Sequence, residues 1–205
     1  MKKVGYCTIY LVRHGRTDWN DKKLIQGHED VRLNTDGQSS AKDLAKEFKN
    51  IKFDKIYSSD LLRAKETAEI IALEHKLAIE TTQALRERNF GNFEGKPHSL
   101  FNEMDKLLDS LDDKTRYSYK FNSNLAMESD EEVMTRFLRF LKEIAVSHPG
   151  KIILVATHAG PIWMLLVKLG LSSYKKYVGI NNLAYLKLES DGVDFFVKET
   201  VGIDM

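Results

Sequence analysis

The chain has 205 residues, 42% of them hydrophobic and 30% charged, a balance that predicts a globular domain with a sizeable core. Its 31 basic and 30 acidic residues leave a net charge of +1, which excludes the strongly basic composition of a nucleic-acid-binding domain and predicts no nucleic-acid partner. Its one cysteine cannot form a disulfide within the chain and therefore favours a reducing, cytoplasmic setting.

The first apolar segment predicts a buried strand. Residues 8–12 are rich in the β-branched and aromatic side chains that strands prefer. Arg13 and His14 follow directly, with no small-residue cleavage site, and this argues against a secretory signal. No apolar run approaches the roughly 20 residues that a membrane-spanning helix needs, so the sequence predicts no membrane partner.

Strands and helices alternate as far as residue 82. The predicted elements are a helix over 35–48, a strand over 53–57, a helix capped by Asp60 that runs to residue 75, and a short strand over 78–82. Leu61, Ala64 and Ala68 recur at the spacing of one helical face, which supports the second helix.

The segment between residues 85 and 128 has a weaker pattern. Pro97 is suited to open a helix, because apolar residues at 101, 104, 107 and 108 follow it at helical spacing. Residues 112–127 are polar and aromatic without a clear period, and they predict a loop. We expect one domain over residues 1–205 with a cap-like excursion at about 96–127.

The C-terminal part returns to a regular alternation. Asp130 is predicted to cap a long helix with one apolar face. The later elements are a buried strand over 151–156, a helix with Pro161 in its first turn, and strands over 183–188 and 193–197 that flank a hairpin turn at Asp191 and Gly192. The alternation predicts an α/β fold, a three-layer α/β/α sandwich whose mostly parallel central sheet has an antiparallel edge strand.

Two of the predicted strands end in similar residues. Arg13 and His14 follow the first strand, and His158 follows the strand over 151–156. Arg63 lies at the start of the helix after the second strand. Ligands of open α/β sheets bind beyond the carboxyl ends of the strands, so these two histidines and two arginines are predicted to converge at one edge.

Such a cluster suits a phosphoryl group. The planar guanidinium of arginine matches the oxygens of phosphate, and a protonated histidine can help to hold them. The other histidine, neutral near pH 7, can attack phosphorus. An acid must protonate the leaving oxygen, and Glu87 and Glu94 of the charged loop over 85–95 are the two candidates.

At these residues the sequence resembles the histidine phosphatase superfamily, the phosphoglycerate-mutase-like proteins. Blocks in the family's order carry the resemblance: LVRHGRTDWN at 11–20, Gln26 and Gly27, LNTDG at 33–37, YSSDLLRAKETA at 57–68, LRERNFG at 85–91 and VATHAG at 155–160. Arg-His-Gly alone would be a weak signal, whereas the ordered blocks are specific and extend over nearly the whole chain.

The resemblance implies a role for each matching residue. His14 would be the phosphorylated nucleophile, and Glu87 the proton donor that later activates water. The implied phosphate pocket consists of Arg13, Arg63, His158, Asn20 and the backbone at Ala159. Thr17, Gln26 and Gly27 would line the site beside the substrate. The resemblance implies no metal ion and no organic cofactor.

Two features bear on which activity the resemblance implies. Phe90 stands where the mutases usually carry tyrosine, and residues 112–127 contain Arg116 with Lys114 and Lys120 in place of a pair of arginines. These features favour a phosphatase for a small phosphorylated metabolite, such as a sugar phosphate, with a phosphoglycerate mutase as the alternative. Ala159 replaces the family's usual glycine, and its methyl group would crowd the pocket if that position required positive φ.

The sequence leaves open a third alternative function, the role of Glu128 and the oligomeric state. Because of Ala159, a weakly active phospho-ligand sensor or interaction module is a further alternative. Glu128 is a candidate to orient the site or a solvated residue near a helix start. The sequence does not give the oligomeric state, and a homodimer is one candidate. The other histidines are interpreted as surface residues without a role: His28, His75, His98 and His148.

Overall fold

Parallel strands and an antiparallel hairpin share one six-stranded sheet in the computed structural model, which describes residues 5–175 and 178–204. The strands are β1 (Cys7–Arg13), β2 (Lys55–Ser59), β3 (Ile79–Thr82), β4 (Ile152–Thr157), β5 (Gly179–Ser190) and β6 (Phe195–Asp204). Their order is β3-β2-β4-β1-β5-β6, with the first four parallel and the last two antiparallel to their neighbours. The predicted α/β class, mostly parallel sheet and antiparallel edge are confirmed.

Helices cover both faces of the sheet, as predicted. They are α1 (Asp18–Asp21), α2 (Thr35–Phe48), α3 (Leu62–His75), α4 (Asn102–Ser110), α5 (Asp113–Ser118), α6 (Asp130–Ser147) and α7 (Ala159–Lys168). Successive side chains of a strand point to opposite faces. Along β1, Tyr10 and Val12 accordingly pack with α2 and α3, while Ile9 and Leu11 pack with α6 and α7. None of these helices is long and apolar enough to cross a membrane.

The register of the central strands fixes the place of the two histidines. Arg13 pairs with Thr157 across β1 and β4, which are parallel neighbours. His14 and His158 are the next residues along each chain segment, so they leave the sheet side by side at its carboxyl edge. The predicted convergence of the two histidines therefore follows from strand adjacency.

Asp60 does not cap α3, and this prediction was wrong. Its two carboxylate oxygens instead accept hydrogen bonds from Arg86, at 2.7 Å from Nε and 2.6 Å from Nη2. The N-cap position of α3 is Leu61, whose side chain caps nothing, and the N–H of Leu62 donates to Asp30 Oδ1 at 2.6 Å. The two hydrogen bonds from Arg86 satisfy the Asp60 carboxylate better than the N–H groups at a helix start would. Asp30 then supplies an acceptor for the first turn of α3 in place of Asp60.

The start of α6 also differs from the prediction by one residue. Ser129 is the N-cap and forms a capping box with Glu132, the arrangement in which side chain and backbone satisfy each other. Asp130 is buried instead and forms an ion pair with Arg88. The buried guanidinium requires a carboxylate partner, and this need decides where the Asp130 side chain goes.

The cap segment contains more structure than its sequence pattern indicates. The helix predicted after Pro97 is present as α4, but the loop predicted over 112–127 was partly wrong because it contains α5. Asp112 caps α5 by accepting hydrogen bonds from the N–H groups of Lys114 and Thr115, at 3.1 and 3.0 Å. Arg116 of α5 is buried, 4.6 Å from the centroid of the Tyr174 ring. So short a helix depends on its cap and on tertiary contacts rather than on periodicity.

Candidate active site

His14 is held at the end of β1 by hydrogen bonds that involve backbone atoms. Its N–H donates to Thr157 O at 3.0 Å, and its carbonyl oxygen accepts from Asn182 Nδ2 at 3.1 Å. Its ring Nδ1 lies 2.7 Å from Gly15 O. Because a carbonyl oxygen only accepts, Nδ1 is the protonated nitrogen and Nε2 carries the lone pair. The ring is therefore oriented as a nucleophile requires.

His158 lies beside His14 and is fully buried. The two ring centroids are 5.2 Å apart, with the planes at 58°. Neither ring nitrogen of His158 has a hydrogen-bond partner within residues 5–175 and 178–204. Buried polar atoms are normally hydrogen-bonded, so this imidazole is suited to contact the oxygen of an anion next to His14.

Two arginines complete the cluster. Arg63 is fully buried near the start of α3, and its Nη1 and Nη2 donate to Glu29 O at 2.8 Å and Gly27 O at 2.7 Å. Its Nε has no hydrogen-bond partner in the described part of the chain. Arg13, from β1, donates from Nη1 to Ile180 O. Backbone carbonyls thus orient both guanidiniums beside the two imidazoles.

The cluster keeps both histidines neutral. Burial, and then the charges of Arg63 and Arg13, hold the pKa of His14 well below its ordinary value of 6.5. Burial, and then Arg63 and His14, do the same to the pKa of His158. Burial lowers the pKa of Arg63 to about 10, so this arginine is still cationic at neutral pH. The sequence analysis inferred a protonated histidine with a phosphoryl group bound, and the charge of a phosphate dianion would raise the pKa of His158 toward that state.

These depressed pKa values predict that the protein loses stability in mild acid. The unfolded chain takes up protons on both histidines as the pH falls below about 6.5, while the folded chain does not. Their contribution to the free energy of unfolding is therefore complete above this pH and declines below it. Urea denaturation from about pH 8 to pH 5 measures the decline. His14→Asn, which removes one of the two groups, should show a shallower decline, and an equal slope would contradict the assignment.

Glu87 lies at the same cavity and is fixed by backbone donors. Its Oε2 accepts from the N–H of Gly160 at 3.1 Å, and its Oε1 accepts from the N–H of Arg88 at 2.8 Å. A Cβ atom at Gly160 would lie 2.2 Å from Glu87 Oε1, so the glycine makes room for the carboxyl group. Glu87 lines the cavity together with His14 and Arg63.

Glu94 is occupied elsewhere. Its Oε1 accepts from the N–H groups of His28 and Phe90, both at 2.9 Å, and it is not among the residues that line the cavity. The sequence left Glu87 and Glu94 as alternatives for the acid, and the geometry favours Glu87.

The remaining predicted residues divide into two groups. Gln26, Gly27 and Ala159 line the cavity with His14. Thr17 and Asn20 form the capping box of α1 and, like the buried His158, are not among the cavity-lining residues. Asn20 Oδ1 lies 3.4 Å from Asn182 Nδ2, which also donates to His14 O.

Ala159 fits without backbone strain. It is the first residue of α7, and it is not among the residues with positive φ. The crowding expected from a methyl group at a left-handed position therefore does not arise.

The sequence interpretation missed several residues around the site. Asn182 contacts the carbonyl oxygens of both His14 and Gly15 from an irregular part of β5, where Leu183 has a φ of +63°. His28, interpreted as a surface residue, donates from Nε2 to Glu87 O at 2.9 Å, and His98 lines the cavity. No local sequence pattern indicates these contacts, because each depends on a segment distant in the chain.

The cavity is about 560 Å³ in volume and extends from His14 to the cap segment. Its outer wall contains Phe90, His98, Phe101, Asp105, Leu108, Asp109, Arg116, Trp163, Met164, Tyr174 and Lys175. This volume suits a small metabolite. No group of three or more histidine, cysteine, aspartate or glutamate side chains in the described ranges is arranged to hold a metal ion.

Known proteins are similar to this chain in sequence and in fold. The profile of the family described as histidine phosphatase superfamily (branch 1) matches residues 9–201. A Bacillus subtilis (strain 168) protein named uncharacterized phosphatase PhoE is 34% identical over 161 residues, 78% of this chain and 76% of its own. A Hydrogenobacter thermophilus protein named putative phosphoserine phosphatase 2 is 31% identical over 187 residues, 90% of this chain and 86% of its own. The crystal structure of a phosphoglycerate mutase from Bacillus anthracis str. Sterne superimposes with a TM-score of 0.82 at 27% identity, covering 97% of this chain and 94% of that one.

Proposed function

The chain belongs to branch 1 of the histidine phosphatase superfamily, and we propose that it is a phosphatase that hydrolyses a small phosphorylated metabolite through a phosphohistidine at His14. The observation that carries the proposal is the pair of neutral imidazoles 5.2 Å apart, flanked by two oriented guanidiniums. Relatives named as phosphatases support the hydrolytic reaction.

The first chemical step is transfer of the phosphoryl group to His14. Arg13, Arg63 and His158 bind the phosphate oxygens and stabilise the charge on them during transfer. The Nε2 lone pair of His14 forms the N–P bond as the bond from phosphorus to the leaving oxygen breaks. The protonated carboxyl group of Glu87 gives its proton to that oxygen, and the alcohol leaves.

The second step returns the enzyme to its starting state. The Glu87 carboxylate removes a proton from a water molecule, whose oxygen attacks phosphorus as the N–P bond breaks. Inorganic phosphate then leaves, and Glu87 is protonated again for the next cycle. The proposed reaction requires no metal ion, and we place the enzyme in the cytoplasm.

The cap favours hydrolysis over the mutase reaction. Arg116 already forms an ion pair with Asp109 at 2.5 Å, and Lys120 lies 3.5 Å from Glu131 and 3.6 Å from Glu132. Phe90 has no hydroxyl group to hold a second anionic group of the substrate. The mutase reaction is the alternative because of the structural relative from Bacillus anthracis. Interconversion of 2- and 3-phosphoglycerate faster than phosphate release would establish it.

Trapping the phosphoenzyme tests the proposed function. Wild-type protein is mixed briefly with a phosphomonoester that carries a labelled phosphate, in the presence of EDTA, and is then denatured. We expect protein-bound label that is stable in alkali and lost in acid, together with release of labelled inorganic phosphate. Label bound at another residue, or hydrolysis without a bound intermediate, would reject the phosphohistidine route. Binding of the phosphomonoester without turnover would instead support the sensor alternative.

A further inference from the structure

The backbone around Glu87 is held by one arginine from α6. Arg136 donates from Nη1 to Ala84 O at 3.0 Å and to Arg86 O at 2.7 Å, and from Nη2 to Glu87 O at 2.8 Å. Gln83 O also lies 3.5 Å from Nη1, so four carbonyl oxygens within five residues converge on a single guanidinium. This segment includes the 3₁₀ turn Gln83–Leu85 and lies outside the sheet. Thr157 Oγ1 also donates to Leu85 O, and His28 Nε2 donates to Glu87 O, so Arg136 is the contact that joins the turn to the backbone of Glu87.

Glu128 holds the same arginine from the other side. Its Oε1 accepts from Arg136 Nε at 3.0 Å and its Oε2 accepts from Nη2 at 2.9 Å, the paired geometry in which arginine and carboxylate bind most specifically. Glu128 Oε2 also accepts from the N–H of Asn89 at 2.8 Å, and the Glu128 N–H donates to Asn89 O at 3.0 Å. The segment is therefore fixed on both sides of Glu87.

From these contacts we infer that the ion pair of Arg136 and Glu128 positions Glu87 for proton transfer. We call this ion pair the clamp. The inference rests on the proposed function and adds two positioning residues to it. A general acid must lie within about 2.6–3.2 Å of the oxygen that it protonates, and a displacement of about 1 Å can reduce the rate about 100-fold. Neither residue lines the cavity, so the clamp does not contact the substrate directly. The charge of Arg136 also helps to lower the pKa of His158, and Arg136→Lys retains that charge.

Only arginine can make this set of contacts. The guanidinium presents five donors in a rigid plane, whereas the lysine ammonium is a point charge on a flexible stem. Arg136→Lys therefore retains the positive charge but loses the planar arrangement of five N–H donors. Arg139, one turn later on α6, provides a matched control because its side chain is 80% exposed and its ion pair with Glu143 lies on the surface.

The dependence on the leaving group separates positioning from general support of the fold. Nitrophenolate is a stable anion that departs without protonation, while an alkoxide requires an acid. The parameter kcat/KM reports on the steps up to release of the leaving group, before water attacks the phosphoenzyme. We propose to measure kcat/KM with two substrates, the alkyl phosphate glycerol 2-phosphate and the aryl phosphate p-nitrophenyl phosphate. The proteins compared are the wild type and four variants: Arg136→Lys, Glu128→Gln, Arg139→Lys and Glu87→Gln.

For Arg136→Lys we expect kcat/KM for the alkyl ester to fall about 30-fold, with a change of less than about threefold for p-nitrophenyl phosphate. Glu128→Gln should show a smaller loss with the same substrate dependence, Glu87→Gln a larger one, and Arg139→Lys none. Equal losses on both esters, or no loss in a folded Arg136→Lys protein, would overturn the inference. If Arg136→Lys does not fold, Glu128→Gln decides by the same criterion. Failure of wild type to hydrolyse either ester would reject the proposed function itself.

Discussion

His14→Ala should abolish phosphomonoester hydrolysis, with kcat/KM falling by at least about 10⁴-fold, the scale expected when a covalent nucleophile is removed. The hydrogen bond from Nδ1 to Gly15 O leaves the lone pair on Nε2, and alanine offers no lone pair. Steady-state phosphate release and rapid-quench labelling of the protein measure the loss.

His148→Ala is the control for this substitution. His148 precedes β4 at the amino end of the sheet, where its Nδ1 hydrogen-bonds to Ile144 O at 2.9 Å. The control should therefore form the phosphoenzyme as wild type does. Substantial turnover by His14→Ala, or label retained on the His14→Ala protein, would assign the nucleophile to another residue.

The parts of the fold that were predictable are those whose signal lies within one segment. Helix α2 has the bounds predicted for it, residues 35–48, and its buried residues repeat along one face. The continuous apolar run of β4 indicated a strand buried on both faces. The convergence of His14 and His158 followed from the rule that ligands bind at the carboxyl ends of parallel strands.

The errors occurred where a distant residue determines the outcome. Asp60 pairs with Arg86 and does not cap α3. Asp130, the first residue of α6, pairs with Arg88 and does not cap α6. Helix α5 depends on the burial of Arg116, a contact that hydrophobic periodicity cannot reveal.

The same reason limited the description of the site. The sequence places Glu87 and Glu94 in one charged loop, and only the fold directs Glu87 to Gly160. His28 and Asn182 bond to backbone carbonyls of the site from other segments. Backbone carbonyls are identical in every residue, so side chains that bind them carry no pairing signal in a single sequence.

Arg63→Met should lower kcat/KM by about 10³-fold, the second of the two largest effects expected. The substitution removes a buried cation beside the two imidazoles and leaves Gly27 O and Glu29 O without their donors. Because the charge of Arg63 contributes to the low pKa of both histidines, their pKa should rise in the variant. The acidic limb of the pH–kcat/KM profile should therefore move to higher pH, since the nucleophile must be neutral.

Arg32→Met is the matched control, because the Arg32 side chain is 72% exposed and pairs with Glu66 at the surface. Inhibition by inorganic phosphate measures anion binding in wild type and in both variants. Phosphate should inhibit Arg63→Met far more weakly than wild type and should inhibit Arg32→Met equally well. A folded Arg63→Met protein with wild-type phosphate inhibition would mean that the anion binds away from the two histidines. In that case neither imidazole could receive or stabilise the phosphoryl group.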